Sequence, residues 1–132
     1  MNKVIALFLV LLANPAWCGN SARPRMDLRC DASGAGPVLD CVFQLSTDKR
    51  PLSGARIRVG AHMPSMPMAH RVSPALASGG TAPGEYRVRL ELEMPGVWAL
   101  EFDLTSPRRD RLVRRVRVLP CAQASCPAQV LR

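Results

Sequence analysis

The chain has 132 residues, 48% of them hydrophobic, and carries 18 Lys and Arg against 10 Asp and Glu, for a formal net charge of +8. This length suits one domain with a core large enough to fold unaided, and the excess of arginine favours anionic membrane surfaces or acidic partners. Nucleic-acid binding is not expected, because no recognition helix is predicted and the aromatic side chains beyond the first residues are few. Those aromatic residues are Phe43, Tyr86, Trp98 and Phe102.

The first 18 residues have the pattern of a secretory signal peptide. Lys3 supplies a positive n-region, and residues 4–13 form an apolar run that is too short to span a bilayer as a helix. Small residues at the −3 and −1 positions indicate cleavage after Cys18, which would leave residues 19–132 as a single domain that does not span a membrane. Lipoprotein anchoring through Cys18 is the alternative, but the tryptophan before it fits such a site poorly. We therefore expect an exported, periplasmic protein.

Beyond a loose N-terminal arm over residues 19–25, alternation of apolar and polar residues predicts half-buried β-strands. The alternating segments are 26–30, 39–45, 57–61, 86–92, 98–104 and 112–119, with turns at 32–37, 48–51, 94–96 and 107–110. Residues 73–84, rich in Ser, Pro, Gly and Ala, are expected to form a surface loop. No helix is predicted, so the pattern favours an all-β fold, an immunoglobulin-like antiparallel β-sandwich of about seven strands. The Arg-x-Arg pairs on these strands are interpreted as solvated sheet faces.

Four cysteines remain after the signal peptide, and an even number in an exported chain predicts two disulfides. Of the three pairings that four cysteines allow, we favour the local one, Cys30–Cys41 with Cys121–Cys126. Cys30 and Cys41 both point inward on neighbouring predicted strands, which makes a bridge between them geometrically reasonable. A thiolate metal site is the alternative, and an oxidising compartment argues against it.

Residues 62–70 read His-Met-Pro-Ser-Met-Pro-Met-Ala-His, which places three thioethers and two imidazoles within nine residues. Two prolines predict a stiff loop, and thioether with imidazole suits copper, with thioethers favouring Cu(I). The alternative is that the methionines fill gaps at the end of a hydrophobic core. Alternation from the preceding strand points Met63 inward and His62 outward. The candidate ligands in this loop are Met63, Met66, Met68, His62 and His70, with His70 the favoured imidazole.

Strand direction adds Met94 to the candidate ligands. If consecutive strands alternate in direction, and residues 66–72 form a returning strand, the turn at 94–96 lies at the same end of the sandwich as residues 62–70. The turn at 32–37 and the tail with Cys121 and Cys126 are then expected at that end too.

Two blocks of this sequence resemble the YtkA-like (FixH-related) exported domains. The first is the methionine-rich loop 62–70, and the second is residues 84–102, where a G-x-Y strand runs into an M-P-G-x-W turn. The resemblance implies an immunoglobulin-like β-sandwich in the periplasm or at the cell surface, with a role in copper handling or in assembly of copper-containing respiratory oxidases. Carried onto this chain, the family's ligand positions are Met63, Met66, Met68, His70 and Met94. We expect no membrane anchor of the kind many relatives carry, and the motif does not require the four cysteines.

Taken together, these features predict a Cu(I) chaperone or buffer that hands its ion to a copper-protein or membrane-protein partner. The alternative is a metal-free interaction module, in which the methionine loop docks on a membrane-protein partner and the arginines meet anionic lipid or acidic loops. An enzyme is not expected. The sequence has two histidines, both in one loop, and no phosphate-binding loop, nucleophile elbow or HExxH motif.

Overall fold

The structure is a computed structural model that describes residues 22–34 and 37–132. The predicted signal peptide over residues 1–18, its cleavage site and Cys18 therefore lie outside the described residues. Within those two ranges the chain forms eleven β-strands and no helix. None of the described segments is a helix long and apolar enough to cross a bilayer.

Seven strands of six or more residues make up the body of the fold. They are β1 (Arg25–Ser33), β2 (Val38–Thr47), β4 (Arg56–His62), β5 (Arg71–Leu76), β7 (Glu85–Glu91), β8 (Gly96–Ser106) and β9 (Asp110–Val118). Four further strands have two or three residues each, namely β3 (Arg50–Pro51), β6 (Ser78–Gly79), β10 (Cys126–Pro127) and β11 (Gln129–Leu131).

These strands form two antiparallel sheets that face each other. The first sheet has the order β10-β1-β2-β7-β6, with β3 also paired to β2, and the second has the order β11-β9-β8-β4-β5. Their inward side chains form one hydrophobic core, in which Phe43 of β2 meets Phe102 of β8 edge-to-face with ring centroids 4.9 Å apart. The predicted all-β sandwich of about seven strands is confirmed.

Both predicted disulfides are present in the structure. Cys30 and Cys41 are directly opposite each other on β1 and β2, and both are buried in the core. Cys121 and Cys126 close a short loop in the tail that follows β9. One bridge therefore ties two strands inside the core, and the other shapes the chain end.

The prediction of a surface loop over residues 73–84 is wrong in its first half, and the returning strand predicted over residues 66–72 begins only at Arg71. The strand that returns from the methionine loop is β5, which lies at the edge of the second sheet and pairs with β4. Pro74 is accommodated there because an edge strand does not need every backbone N–H. The chain then crosses to the first sheet, where β6 pairs with β7.

Four segments of the chain meet at one end of the sandwich, which we call the methionine end. They are the β4–β5 connection, the β7–β8 turn, Gly34 after β1, and the tail after β9. The pairing of Gly96 with Val118 places the β7–β8 turn beside the start of the tail, and a cleft of about 340 Å³ is lined by Gly34, Pro95, Pro120, Cys121 and Ala122. The predicted clustering at this end is confirmed.

Candidate metal site at the methionine end

The β4–β5 connection is a compact loop held by its own backbone. The Met63 N–H donates to the His70 carbonyl (3.1 Å), which joins the two ends of the loop directly above β4 and β5. Inside it, the Met66 N–H donates to the Met63 carbonyl (3.0 Å), and the N–H groups of Ala69 and His70 both donate to the Met66 carbonyl (3.2 Å each). The two prolines have no N–H to place in this pattern. The loop is thus defined by hydrogen bonds as well as by proline.

The four methionines at this end differ sharply in exposure. Met63 is 6% exposed, as its predicted inward orientation requires, whereas Met66 is 41%, Met94 37% and Met68 94% exposed. Met63 packs against the β7–β8 turn so closely that a Cβ on Gly96 would lie 2.6 Å from its methyl carbon. Three thioethers are therefore open to solvent, and the fourth anchors the loop to the core.

The imidazole of His70 ties the loop to the β7–β8 turn. Its Nδ1 is hydrogen-bonded to a carboxylate oxygen of Glu93, the residue that precedes Met94. A carboxylate only accepts hydrogen bonds, so Nδ1 is the donor, and in the neutral imidazole Nε2 then keeps its lone pair. In many metal sites, a carboxylate that does not itself bind the metal orients a metal-binding histidine in this way. The pair leaves Nε2 of His70 as a nitrogen that can coordinate an ion.

The M-P-G-x-W turn has a structural explanation in the same contacts. The Trp98 indole N–H donates to the Met94 carbonyl (3.1 Å), which fixes the turn against the first residues of β8. Gly96 has φ 147°, a value that L residues rarely adopt, and its missing side chain leaves room for Met63. The motif thus holds Glu93 and Met94 in register with the methionine loop.

His62 belongs to a different surface from His70. It lies at the end of β4 with its side chain on the outer face of the second sheet, and its Nδ1 is 3.3 Å from a carboxylate oxygen of Glu101 on β8. The two groups are not aligned for a hydrogen bond, and the buried Nδ1 has no hydrogen-bond partner among the described residues. Of the six predicted ligands, the structure groups His70 with the methionine loop and the β7–β8 turn, and it sets His62 apart on the sheet face.

Sequence reasoning missed both carboxylates that hold the histidines. His70 and Glu93 are 23 residues apart, and nothing in the local pattern links them. The available signal was the placement of the turn at 94–96 beside the loop, since Glu93 directly precedes that turn. Among residues 22–34 and 37–132, no group of three or more His, Cys, Asp and Glu side chains is placed to hold a metal ion. Methionine, the donor predicted here, is not one of those residue types.

A comparison with protein families agrees with the resemblance found in the two sequence blocks. A family model described as YtkA-like matches residues 31–103, more than half of the chain, and this range contains the methionine loop, the Glu93–Met94 turn and Trp98. Neither a search of curated proteins nor a search of solved structures found a match. On the strength of the family match, this protein is a member of the YtkA-like family.

Proposed function

We propose that this protein binds Cu(I) at the methionine end and acts in the periplasm as a copper chaperone or buffer, linked to copper homeostasis or to assembly of copper-containing respiratory oxidases. The observation that carries the proposal is the hydrogen bond between His70 and Glu93. It brings Met94 to the same end of the sandwich as Met66 and Met68, so that three exposed thioethers and one oriented imidazole lie at that end. Thioether and imidazole are ligands that suit copper, and thioethers select its reduced form.

The oxidation state of the cysteines supports the choice of thioethers as donors. Cys30, Cys41, Cys121 and Cys126 are all paired in disulfides, so none of them offers a thiolate to compete for the ion. Two disulfides also fit an exported protein in an oxidising compartment. In such a compartment, the exposed methionines are the soft ligands that remain in the described part of the chain.

Each residue has a distinct role in this proposal. His70 supplies Nε2, and Glu93 fixes the ring and makes it a better donor. Met66, Met68 and Met94 supply sulfur atoms from the surface, where a partner protein can reach the ion. Met63 positions the loop by packing on Gly96. Neutral ligands leave the charge of Cu(I) in place, and this favours moderate affinity and ready transfer to the partner.

An anaerobic Cu(I) titration of the oxidised, exported protein against a chromophoric chelator tests the proposal. We expect one stoichiometric site in the wild type, lost when Met66→Leu and Met68→Leu are combined. The matched control is Met26→Leu, because Met26 is buried on β1 and is not among the proposed ligands. The proposal fails if the wild type does not compete with the chelator, or if the double variant binds Cu(I) as tightly as the wild type.

The exposure of Met68 favours a metal-free interaction module as the second candidate function. A methionine that is 94% exposed offers an apolar rim on which a membrane-protein partner could dock. Under this alternative, partner binding would survive the combined His62→Ala and His70→Ala substitutions. Loss of binding in that variant would favour the copper site instead.

A further inference from the structure

The two outer faces of the sandwich carry very different charge. The first sheet presents four arginines and five acids on β1, β2 and β7, namely Arg25, Arg29, Arg87 and Arg89 with Asp27, Asp31, Asp40, Glu85 and Glu91. The second sheet presents six arginines and two acids on β4, β5, β8 and β9, namely Arg56, Arg58, Arg71, Arg111, Arg115 and Arg117 with Glu101 and Asp103. The net positive charge of the strands is therefore concentrated on one face, which we call the arginine face.

The two acids of the arginine face are already engaged by neighbouring side chains. Glu101 lies beside His62, and Asp103 accepts a hydrogen bond from Nε of Arg111 (2.6 Å). This hydrogen bond and the charge of Asp103 raise the pKa of Arg111, which keeps its charge in any case. The other five arginines, Arg56, Arg58, Arg71, Arg115 and Arg117, are exposed and make no ion pair with any described residue.

The arginine face adjoins the methionine end. Arg71 directly follows His70 and pairs with His62 across β4 and β5, and Arg115 lies in the same cross-strand row, opposite Ala99. With strands about 4.8 Å apart, the row from Arg71 to Arg115 spans about 14 Å, and the seven residues from Arg111 to Arg117 cover about 20 Å along β9. These dimensions match a modest protein contact patch rather than a single ion site.

We propose that the arginine face docks this protein onto an acidic surface of a partner protein, in an orientation that places the methionine end beside that partner. Arginine recognises carboxylates through a planar, bidentate arrangement of donors, and a one-signed patch steers an oppositely charged partner toward it.

A protein partner fits this face better than a membrane does. The outward positions of the described strands in this sheet hold no aromatic residue, and the exposed aliphatic residues Leu76 and Val113 lie on β5 and β9, which β4 and β8 separate. Membrane-surface elements instead use aromatic and aliphatic side chains together to insert into the lipid. Glu101 and Asp103 also interrupt the arginines. A protein surface can place a basic group opposite such acids, but an anionic lipid surface cannot.

Two variants with the same change in net charge distinguish binding by the arginine face from an effect of overall charge. The face variant combines Arg58→Gln, Arg71→Gln, Arg115→Gln and Arg117→Gln, and leaves the Arg111–Asp103 pair intact. The control variant combines Arg25→Gln, Arg29→Gln, Arg87→Gln and Arg89→Gln on the opposite face. Circular dichroism and a thermal melt establish that both variants fold.

Binding is measured by fluorescence anisotropy at low salt, with a labelled oligoglutamate peptide of about ten residues as the acidic probe. We expect the face variant to bind about tenfold more weakly than the wild type, and the control variant within about twofold of it, since each exposed arginine–carboxylate contact contributes modestly. Equal losses in the two variants, or no loss in the face variant, would overturn the proposal.

Cosedimentation with phosphatidylcholine vesicles that contain about 30% phosphatidylglycerol tests whether the arginine face binds an anionic membrane instead. Vesicle binding that is lost in the face variant, while the peptide does not bind, would assign the face to lipid and overturn the proposal. Neither readout involves copper, so this test and the Cu(I) titration can fail independently.

Discussion

The hydroxyl of Tyr86 provides a sharp test of how the G-x-Y strand is held. This side chain is buried, and its hydroxyl donates to the Leu52 carbonyl (2.6 Å) and accepts from the Ala55 N–H (2.9 Å). The ring stacks on Phe43 with centroids 5.6 Å apart, and Tyr86→Phe would keep that contact. The substitution thus removes two hydrogen bonds to the β3–β4 connection and leaves the core volume almost unchanged.

The expected cost of Tyr86→Phe follows from those two bonds. Each contributes about 1 kcal/mol net, so the free energy of unfolding should fall by about 2 kcal/mol. With a urea slope of about 2 kcal/mol per molar, the midpoint of unfolding should fall by about 1 M. Urea titrations followed by circular dichroism and by Trp98 fluorescence measure this change, and the two probes should agree if unfolding is two-state.

Ser53→Ala is the matched control, because the Ser53 hydroxyl accepts a single hydrogen bond from the Gly84 N–H (2.9 Å) in the same connection. Its effect should be about half as large, near 1 kcal/mol. A loss below about 0.5 kcal/mol for Tyr86→Phe would refute the reasoning, since that is within the range of an ordinary surface substitution. The two hydrogen bonds of the Tyr86 hydroxyl would then contribute little to holding the connection.

Two further predictions concern the candidate site and the disulfides. Glu93→Gln should weaken Cu(I) binding about tenfold without unfolding the protein, because His70 loses the carboxylate that orients its ring. The control Glu91→Gln, at an exposed position of β7, should leave Cu(I) affinity unchanged. Chelator competition measures both variants, and equal Cu(I) affinities for the two would contradict the assigned role of Glu93. Under mild reductant, the partly exposed Cys121–Cys126 bridge in the tail should open before the Cys30–Cys41 bridge, because the core shields the latter from the reductant. Alkylation and peptide mass spectrometry would show the order of opening, and reduction of Cys30–Cys41 first would contradict this reason.

The strands of the core could be predicted from the sequence because side-chain burial follows the period of a strand. Along β2 and β7, buried and exposed residues alternate almost without interruption, as the alternation of apolar and polar residues indicated. The same period placed Cys30 opposite Cys41 and turned Met63 inward. These features depend on local patterning, which a single sequence contains.

The edge strands could not be predicted in this way. In β5 the burial pattern has no regular alternation, because one side of the strand is unpaired and a register shift between Val59 and Ala61 interrupts its partner β4. The pairs of each histidine with its glutamate were also missed. They join residues that are distant in sequence. His62 and Glu101 meet across the pairing of β4 with β8, and His70 and Glu93 meet where the β7–β8 turn folds against the methionine loop.

The outermost strands determine how this protein can be recognised. Two segments connect the edges of the two sheets. In residues 71–79, β5 pairs with β4 of the second sheet and β6 then pairs with β7 of the first. In residues 126–131, β10 pairs with β1 of the first sheet and β11 then pairs with β9 of the second. Each outermost strand is either two or three residues long or contains a proline, as Pro74 does in β5. Such edges are poor templates for an added strand. At the stretches that these strands cover, residues 31–32 of β1, 86–87 of β7 and 115–117 of β9, a partner must therefore contact side chains instead of adding a strand, and edge-to-edge pairing of two copies is blocked there.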